Sequence, residues 1–265
     1  MKIEVAETKL HFWCHGDPSS KPVVLSHGAT LDHRSWDPQV AVLAEKYRVI
    51  TWDLRGHGLS QPLTGRFSFE RGAADLIALL DYLGIERAAL VGLSMGAFIS
   101  QQVAYAHRDR VAALVCFDAA SLTHTKLGPA MRLLLAASGK AMAAFPHRLL
   151  VEAIARRAAL DPEVRDYIRE VSGNLTKSAI LDIWHAVQTG LRWEPDYKIP
   201  HPLMIAVGDN DKVGATLSLS RKWARQCPDA RFEIIPRAGH CSNQDNPRFA
   251  SRILLDFLER HWPSG

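Results

Sequence analysis

Gly92-Leu93-Ser94-Met95-Gly96 places a serine between two residues without bulk, where an apolar β-rich run gives way to a helical one, Met95 to His107. That spacing predicts a strained strand-to-helix turn. Gly92 and Gly96 let the backbone pass close to itself, and the Oγ of Ser94 stands exposed above the sheet edge. The helix start that follows brings partial positive charge and free N–H groups to where an alkoxide or oxyanion would form. A serine alone is a poor nucleophile, so a base and an orienting acid are expected at later strand ends.

His240, in Ala238-Gly239-His240, follows the last strand pattern, Arg231 to Ile235, and is the expected base among twelve histidines. The others have plainer roles: His27 and His57 lie in Gly-rich loops, His107 closes a helix, and His124, His147, His185 and His201 lie in or beside a helical stretch. The acid is expected in Gly208-Asp209-Asn210-Asp211, directly after the strand pattern Leu203 to Val207. Asp211, three residues beyond the glycine, can turn back toward His240, whereas Asp209 suits capping the turn with its own side chain. Asp118, at the end of another strand pattern, is the rival acid; its other role would be to hydrogen-bond the start of a helical insertion. An oxyanion needs two backbone donors, one from the residue after the nucleophile and one from an early loop. Met95 supplies the first. In Ser26-His27-Gly28-Ala29-Thr30 a flexible Gly28 would let the Ala29 N–H point into the site, although Gly28 fits a plain turn as well.

These residues need a scaffold of strand ends. Residues 2 to 15 alternate apolar and polar around a break at Ala6 to Lys9, which predicts two half-exposed antiparallel strands. Short apolar runs without alternation then recur at Pro22–Ser26, Tyr47–Asp53, Ala88–Gly92, Val111–Phe117, Leu203–Val207 and Arg231–Ile235, separated by helical patterns. Such runs are buried parallel strands, and the helices between them are right-handed crossovers. The expected fold is α/β: an open, doubly wound, mostly parallel sheet. From Ser121 to about Tyr197 no strand pattern appears, while Asp161-Pro162 and Thr176 open helices and Gly190 ends one. Residues 121–199 therefore read as a helical cap inserted after the sixth strand, with 1–120 and 200–265 as the core.

Composition sets outer limits. The chain has 265 residues, 47% hydrophobic and 23% charged, as in a folded globule that buries a full core. Thirty-two basic residues against 28 acidic ones leave +4, too small an excess to call for nucleic acid or an anionic membrane. Lys2, Glu4, Glu7 and Lys9 interrupt the N-terminus, so no signal peptide is expected, and no apolar run reaches the length of a membrane span. Cys14, Cys116, Cys227 and Cys241 show no CxxC spacing, which argues against a disulfide framework or a zinc site. The expected setting is cytoplasmic.

With these motifs in view, the chain resembles the α/β-hydrolase superfamily. The resemblance covers residues 20–120 and 200–260, through Ser26-His27-Gly28, Trp36, Asp53-Leu54-Arg55-Gly56-His57-Gly58-Leu59-Ser60, Gly92 to Gly96, Gly208 to Asp211, and Gly239-His240 followed by Asp245 and Pro247. Within it, Trp52 to Ser60 and Leu79 to Arg87 are most similar to 3-oxoadipate enol-lactonases and related small carboxylesterases. Ala97 stands where those enzymes usually carry a second glycine, and no residue here matches a ketoadipate carboxylate site. The cap carries 11 basic against 8 acidic residues over positions 121–200, only a faint hint of an anionic substrate.

The resemblance implies hydrolysis of a carboxylic ester or lactone through an acyl-enzyme, with no cofactor and no metal. Ser94 departs from the aspartate nucleophile of dehalogenases and epoxide hydrolases. Leu93 and Ala29-Thr30-Leu31 depart from the pattern of carbon–carbon hydrolases, which share the triad. Cofactor-free haloperoxidases and perhydrolases share it too. A different class, a small-molecule receptor with a retained triad, would need a ligand-sensitive partner surface on the cap, where Phe145, Tyr167, Trp184 and Trp193 lie. The expected acyl pocket is apolar, lined by Phe98, Leu122, Met131 and Trp184 beside Met95, in a monomer or homodimer whose partner is a small-molecule ester or lactone.

Overall fold

A computed structural model of the chain describes residues 1–126 and 128–264, excluding the side chains of residues 131, 132 and 136. Eight strands form one sheet: β1 (Lys2–Val5), β2 (Thr8–His15), β3 (Pro22–Ser26), β4 (Arg48–Trp52), β5 (Ala88–Leu93), β6 (Val111–Phe117), β7 (Leu203–Gly208) and β8 (Arg231–Ile235). Their order across the sheet is β1-β2-β4-β3-β5-β6-β7-β8. β1 and β2 form an antiparallel hairpin that joins β4 antiparallel, and every pair from β4 to β8 is parallel.

The sheet explains the missing alternation. Every residue of β5, β6 and β7 is buried, because helices cover both faces. Neighbouring residues feed opposite layers. Leu90, Leu114 and Ile205 join Trp52, Leu76, Ile99 and Trp223 on one face. Val91, Val115 and Met204 join Trp36, Val49, Leu254 and Phe257 on the other. The first layer is closed by α2 (Phe69–Tyr82), α3 (Met95–Ala106) and α8 (Thr216–Gln226); the second by α1 (Asp37–Leu43) and α10 (Pro247–His261), with the short α9 (Ser242–Asp245) ahead of α10 once the intervening helices are counted.

Those intervening helices are α4 (Pro129–Ala144), α5 (His147–Ala158), α6 (Pro162–Gly173) and α7 (Lys177–Thr189), all between β6 and β7. Their ends follow local chemistry. Asp161 caps α6 by accepting from the Glu163 N–H at 2.8 Å, and Thr176 caps α7 by accepting from the Ala179 N–H at 3.2 Å. α5 packs on α6 and α4 on α7. α4 leaves Leu133 and Leu134 exposed. Among the described residues, no helix is long and apolar enough to cross a membrane.

Candidate active site

Parallel register sets the Ser94 turn beside the early loop, because Ser26 of β3 pairs with Gly92 of β5. Ser94 adopts φ 50°, ψ −109°, a strained conformation for a residue with a Cβ. Its N–H donates to the Phe117 carbonyl at 2.8 Å, and its own carbonyl accepts from Ala97 and Phe98 as α3 begins. The two glycines permit this closeness. A Cβ on Gly92 would lie 2.3 Å from the Ala97 nitrogen, and one on Gly96 would lie 2.2 Å from the Ser26 carbonyl oxygen. Because those neighbours are backbone, Gly96→Ala is expected to lower stability by about 1–3 kcal/mol, read as a fall in the urea midpoint, and to displace Ser94 as β3 and α3 part.

Three predicted residues come together. Ser94 Oγ lies 2.8 Å from His240 Nε2, and His240 Nδ1 lies 2.8 Å from Asp211 Oδ2. The Asp211 side chain is fully shielded from solvent, and its other oxygen accepts from the Val213 N–H at 2.8 Å. Burial disfavours the imidazolium of His240, but the charge of Asp211 and the hydrogen bond to it prevail, so the pKa is raised above the ordinary histidine value. The arrangement can take a proton from Ser94 and hold the resulting imidazolium.

The two other aspartates do different work. Asp209 accepts from the Ala238 N–H at 3.0 Å, so it ties the turn after β7 to the loop carrying His240. Among the described residues, Asp118 does not bond the start of the inserted helices, contrary to the expectation for it. It accepts from the Gly208 N–H at 2.8 Å and from both the N–H and the hydroxyl of Ser242, joining the ends of β6 and β7 to α9. Buried beside the Asp211 charge, its carboxyl is pushed well up. Asp245, quoted in the sequence without a role, accepts from the Gly239 N–H at 2.7 Å and from the Leu160 and Asp161 N–H groups. It steadies the residue before His240 from one side and the α5–α6 junction from the other.

The early loop departs from its expected mechanism. Gly28 is not in the left-handed region; Thr30 is, at φ 61°. Leu93 lies 3.5 Å from where a Gly28 Cβ would stand, which sets the loop against the Ser94 turn. Two histidines that composition reduced to loop residues hold it. The Thr30 N–H donates to His57 Nε2 at 3.2 Å, and His57 Nδ1 donates to the Arg55 carbonyl at 3.0 Å. His27 does the same between Leu54 and Gly28. Burial, with His27 as neighbour, holds the His57 pKa down to about 3, so the ring is neutral and its Nε2 keeps a lone pair to accept with. Asp53 anchors the next turn, accepting from the N–H and Nδ1 of His33 and from the Leu59 N–H. Among the described residues, neither the Ala29 nor the Met95 N–H donates to another group of the chain.

The expected pocket residues are placed in different elements. Phe98 and Leu122 belong to one apolar cluster, where Phe98 stacks on Phe69 with centroids 5.1 Å apart. Trp184 instead braces α7 against α4, donating its indole N–H to Ser138 Oγ at 3.2 Å. The Met131 side chain lies outside the described residues. 

Comparison with known proteins now adds to the geometry. A sequence profile of the alpha/beta hydrolase fold matches residues 21–247. Among solved structures, a thermophilic esterase from Thermogutta terrifontis superposes with a TM-score of 0.85 at 25% identity, over 98% of this chain and 99% of that one. The enol-lactonase from Burkholderia xenovorans gives 0.84 at 27% identity, over 97% and 99%. The dihydrolipoyllysine-residue acetyltransferase component of an acetoin cleaving system from Pseudomonas putida is 28% identical, over 98% of this chain and 69% of its own length. The profile spans most of the sequence, and the chain belongs to the alpha/beta hydrolase family.

Proposed function

We propose that the chain is a serine hydrolase that cleaves a carboxylic ester or lactone through an acyl-enzyme. The relay from Ser94 Oγ through His240 to Asp211, with 2.8 Å at each step, carries this reading. In the first half-reaction His240 Nε2 takes the Ser94 proton as Oγ bonds to the carbonyl carbon, and the oxyanion accepts from the Ala29 and Met95 N–H groups. Collapse breaks the bond to the leaving oxygen, which receives that proton from His240. Asp211 keeps the imidazolium oriented and compensates its charge. Water then gives its proton to His240, attacks the acyl carbon and releases the acid, returning Ser94 to its hydroxyl form. In a lactone both products stay on one molecule.

The esterase and enol-lactonase likenesses support this substrate class, and the apolar cluster of Phe98 and Leu122 supports an apolar acyl site. The test is a panel of nitrophenyl esters of increasing acyl length, enol-lactones and acyl-homoserine lactones compared by kcat/KM. Each added methylene contributes about 0.8 kcal/mol until the end wall is reached, so kcat/KM rises about fourfold per carbon over the first few carbons and then falls sharply. Trp184→Ala, which unties α4 from α7, moves the peak to longer chains. A dicarboxylate enol-lactone preferred over every neutral ester by more than about tenfold, or about 1.4 kcal/mol, overturns the apolar site.

A further inference from the structure

Thr30 is β-branched, and a positive φ is costly for such a residue unless its surroundings impose it. Two sides impose it here. From the core, His57 accepts the Thr30 N–H, as described above. From the inserted helices, Ser172 at the end of α6 donates its hydroxyl to the Thr30 carbonyl at 3.2 Å. Two residues on, the Tyr167 hydroxyl of the same helix donates to Asp32 Oδ1 at 2.9 Å and accepts from the Asp32 N–H at 3.3 Å. Arg34 bridges Asp32 to Glu170, again on α6. Thr30, Asp32, His57 and Ser172 are all buried.

Simple anchoring of the insertion would need only side-chain pairs such as Arg34–Glu170. The Ser172 bond ends instead on the Thr30 main-chain carbonyl, and Tyr167, besides its bond to the Asp32 carboxylate, accepts from the Asp32 main-chain N–H, at and just after the strained residue. Removing them leaves buried polar groups unpaired and lets the Thr30 φ relax. That rotation swings the preceding peptide and carries Ala29 with it. An oxyanion donor works only within a few tenths of an ångström of its place, and a misplacement of about 1 Å costs about a hundredfold.

We propose that Tyr167 and Ser172 are positioning residues for the oxyanion donor: α6 sets the direction of the Ala29 N–H through the Thr30 peptide. The inserted helices then govern rate as well as substrate choice. The inference rests on the serine hydrolase reading, and two independent measurements separate them. In the full chain, Tyr167→Phe, Ser172→Ala and the double variant are assayed on the best nitrophenyl ester, and titrated with an alkyl boronic acid whose tetrahedral adduct on Ser94 mimics the oxyanion. The double variant is expected to lose about tenfold to a hundredfold in kcat and a similar factor in boronate affinity, with KM within about twofold. Amide hydrogen exchange over residues 28–32 is expected to quicken in the same variant, while exchange in β5 and β6 stays slow. Unchanged exchange over residues 28–32 overturns the clamp, whether or not the chain turns over ester. A raised KM at constant kcat overturns it as well, since the two residues would then act on substrate binding. Failure of a fluorophosphonate to label Ser94 in the wild-type chain overturns the hydrolase reading instead.

Discussion

Ser94→Ala lowers kcat by about five to six orders of magnitude and leaves the denaturation midpoint of the chain unchanged. Ser94 is half-buried and, among the described residues, its hydroxyl bonds only His240, so its loss removes the proposed nucleophile without opening a cavity. His240→Ala reduces kcat nearly as far, because a serine without its base stays protonated at neutral pH. The two losses do not add: the double variant retains about the rate of either single one, since both changes disable the same step. Steady-state ester turnover with denaturant titration as the folding control measures this. Either single variant keeping more than about a hundredth of wild-type kcat sinks the proposed roles of both.

Asp211→Asn is expected to lower kcat by about 10³ to 10⁴. The substitution keeps the shape beside His240 Nδ1 but removes the charge that holds the imidazole in its working tautomer and stabilises the imidazolium. A pH profile carries a second signature. The base acts only when neutral, so kcat/KM falls as pH drops through the His240 pKa. Asp211 raises that pKa against burial, so its neutralisation lowers the pKa and moves the acid limb to lower pH while the plateau falls. Asp209→Asn and Asp118→Asn are expected to spare most of kcat, as neither carboxylate bonds His240. If Asp118→Asn proves the most harmful of the three, the acid role passes to the end of β6.

The strands and the three side chains that the structure brings together, Ser94, Asp211 and His240, were legible for a shared reason: each is written in a short local pattern. Unbroken apolar runs such as Ala88–Gly92 are required of any strand buried on both faces, and the Gly92 and Gly96 positions are required wherever a turn folds back on its own backbone. Asp211 was separable from Asp209 because a side chain three residues past a glycine can turn back, whereas one directly after the glycine faces the turn. Thr30 was not legible, since a strained φ on a β-branched residue contradicts local preference and is imposed by His57 and Ser172 from distant parts of the sequence. The same holds for Asp118, whose partners lie 90 and 124 positions away. The partner of Trp184 was not legible either, because periodicity identifies the inward stripe of a helix but not what it meets. Trp184 meets Ser138 of α4.

The order of strands also decides when reactivity can arise during folding. β5, which presents Ser94, is in the middle of the sheet, and the loop that brings His240 to it follows β8, 146 residues later. A chain that ends at β6 carries the residues of the Ser94 turn and lacks both Asp211 and His240. Contacts between residues so far apart in sequence cost more loop-closure entropy than local ones. On the proposed mechanism Ser94 gains its base only when the loop after β8 docks, so a chain cut before β8 is expected to turn over no ester.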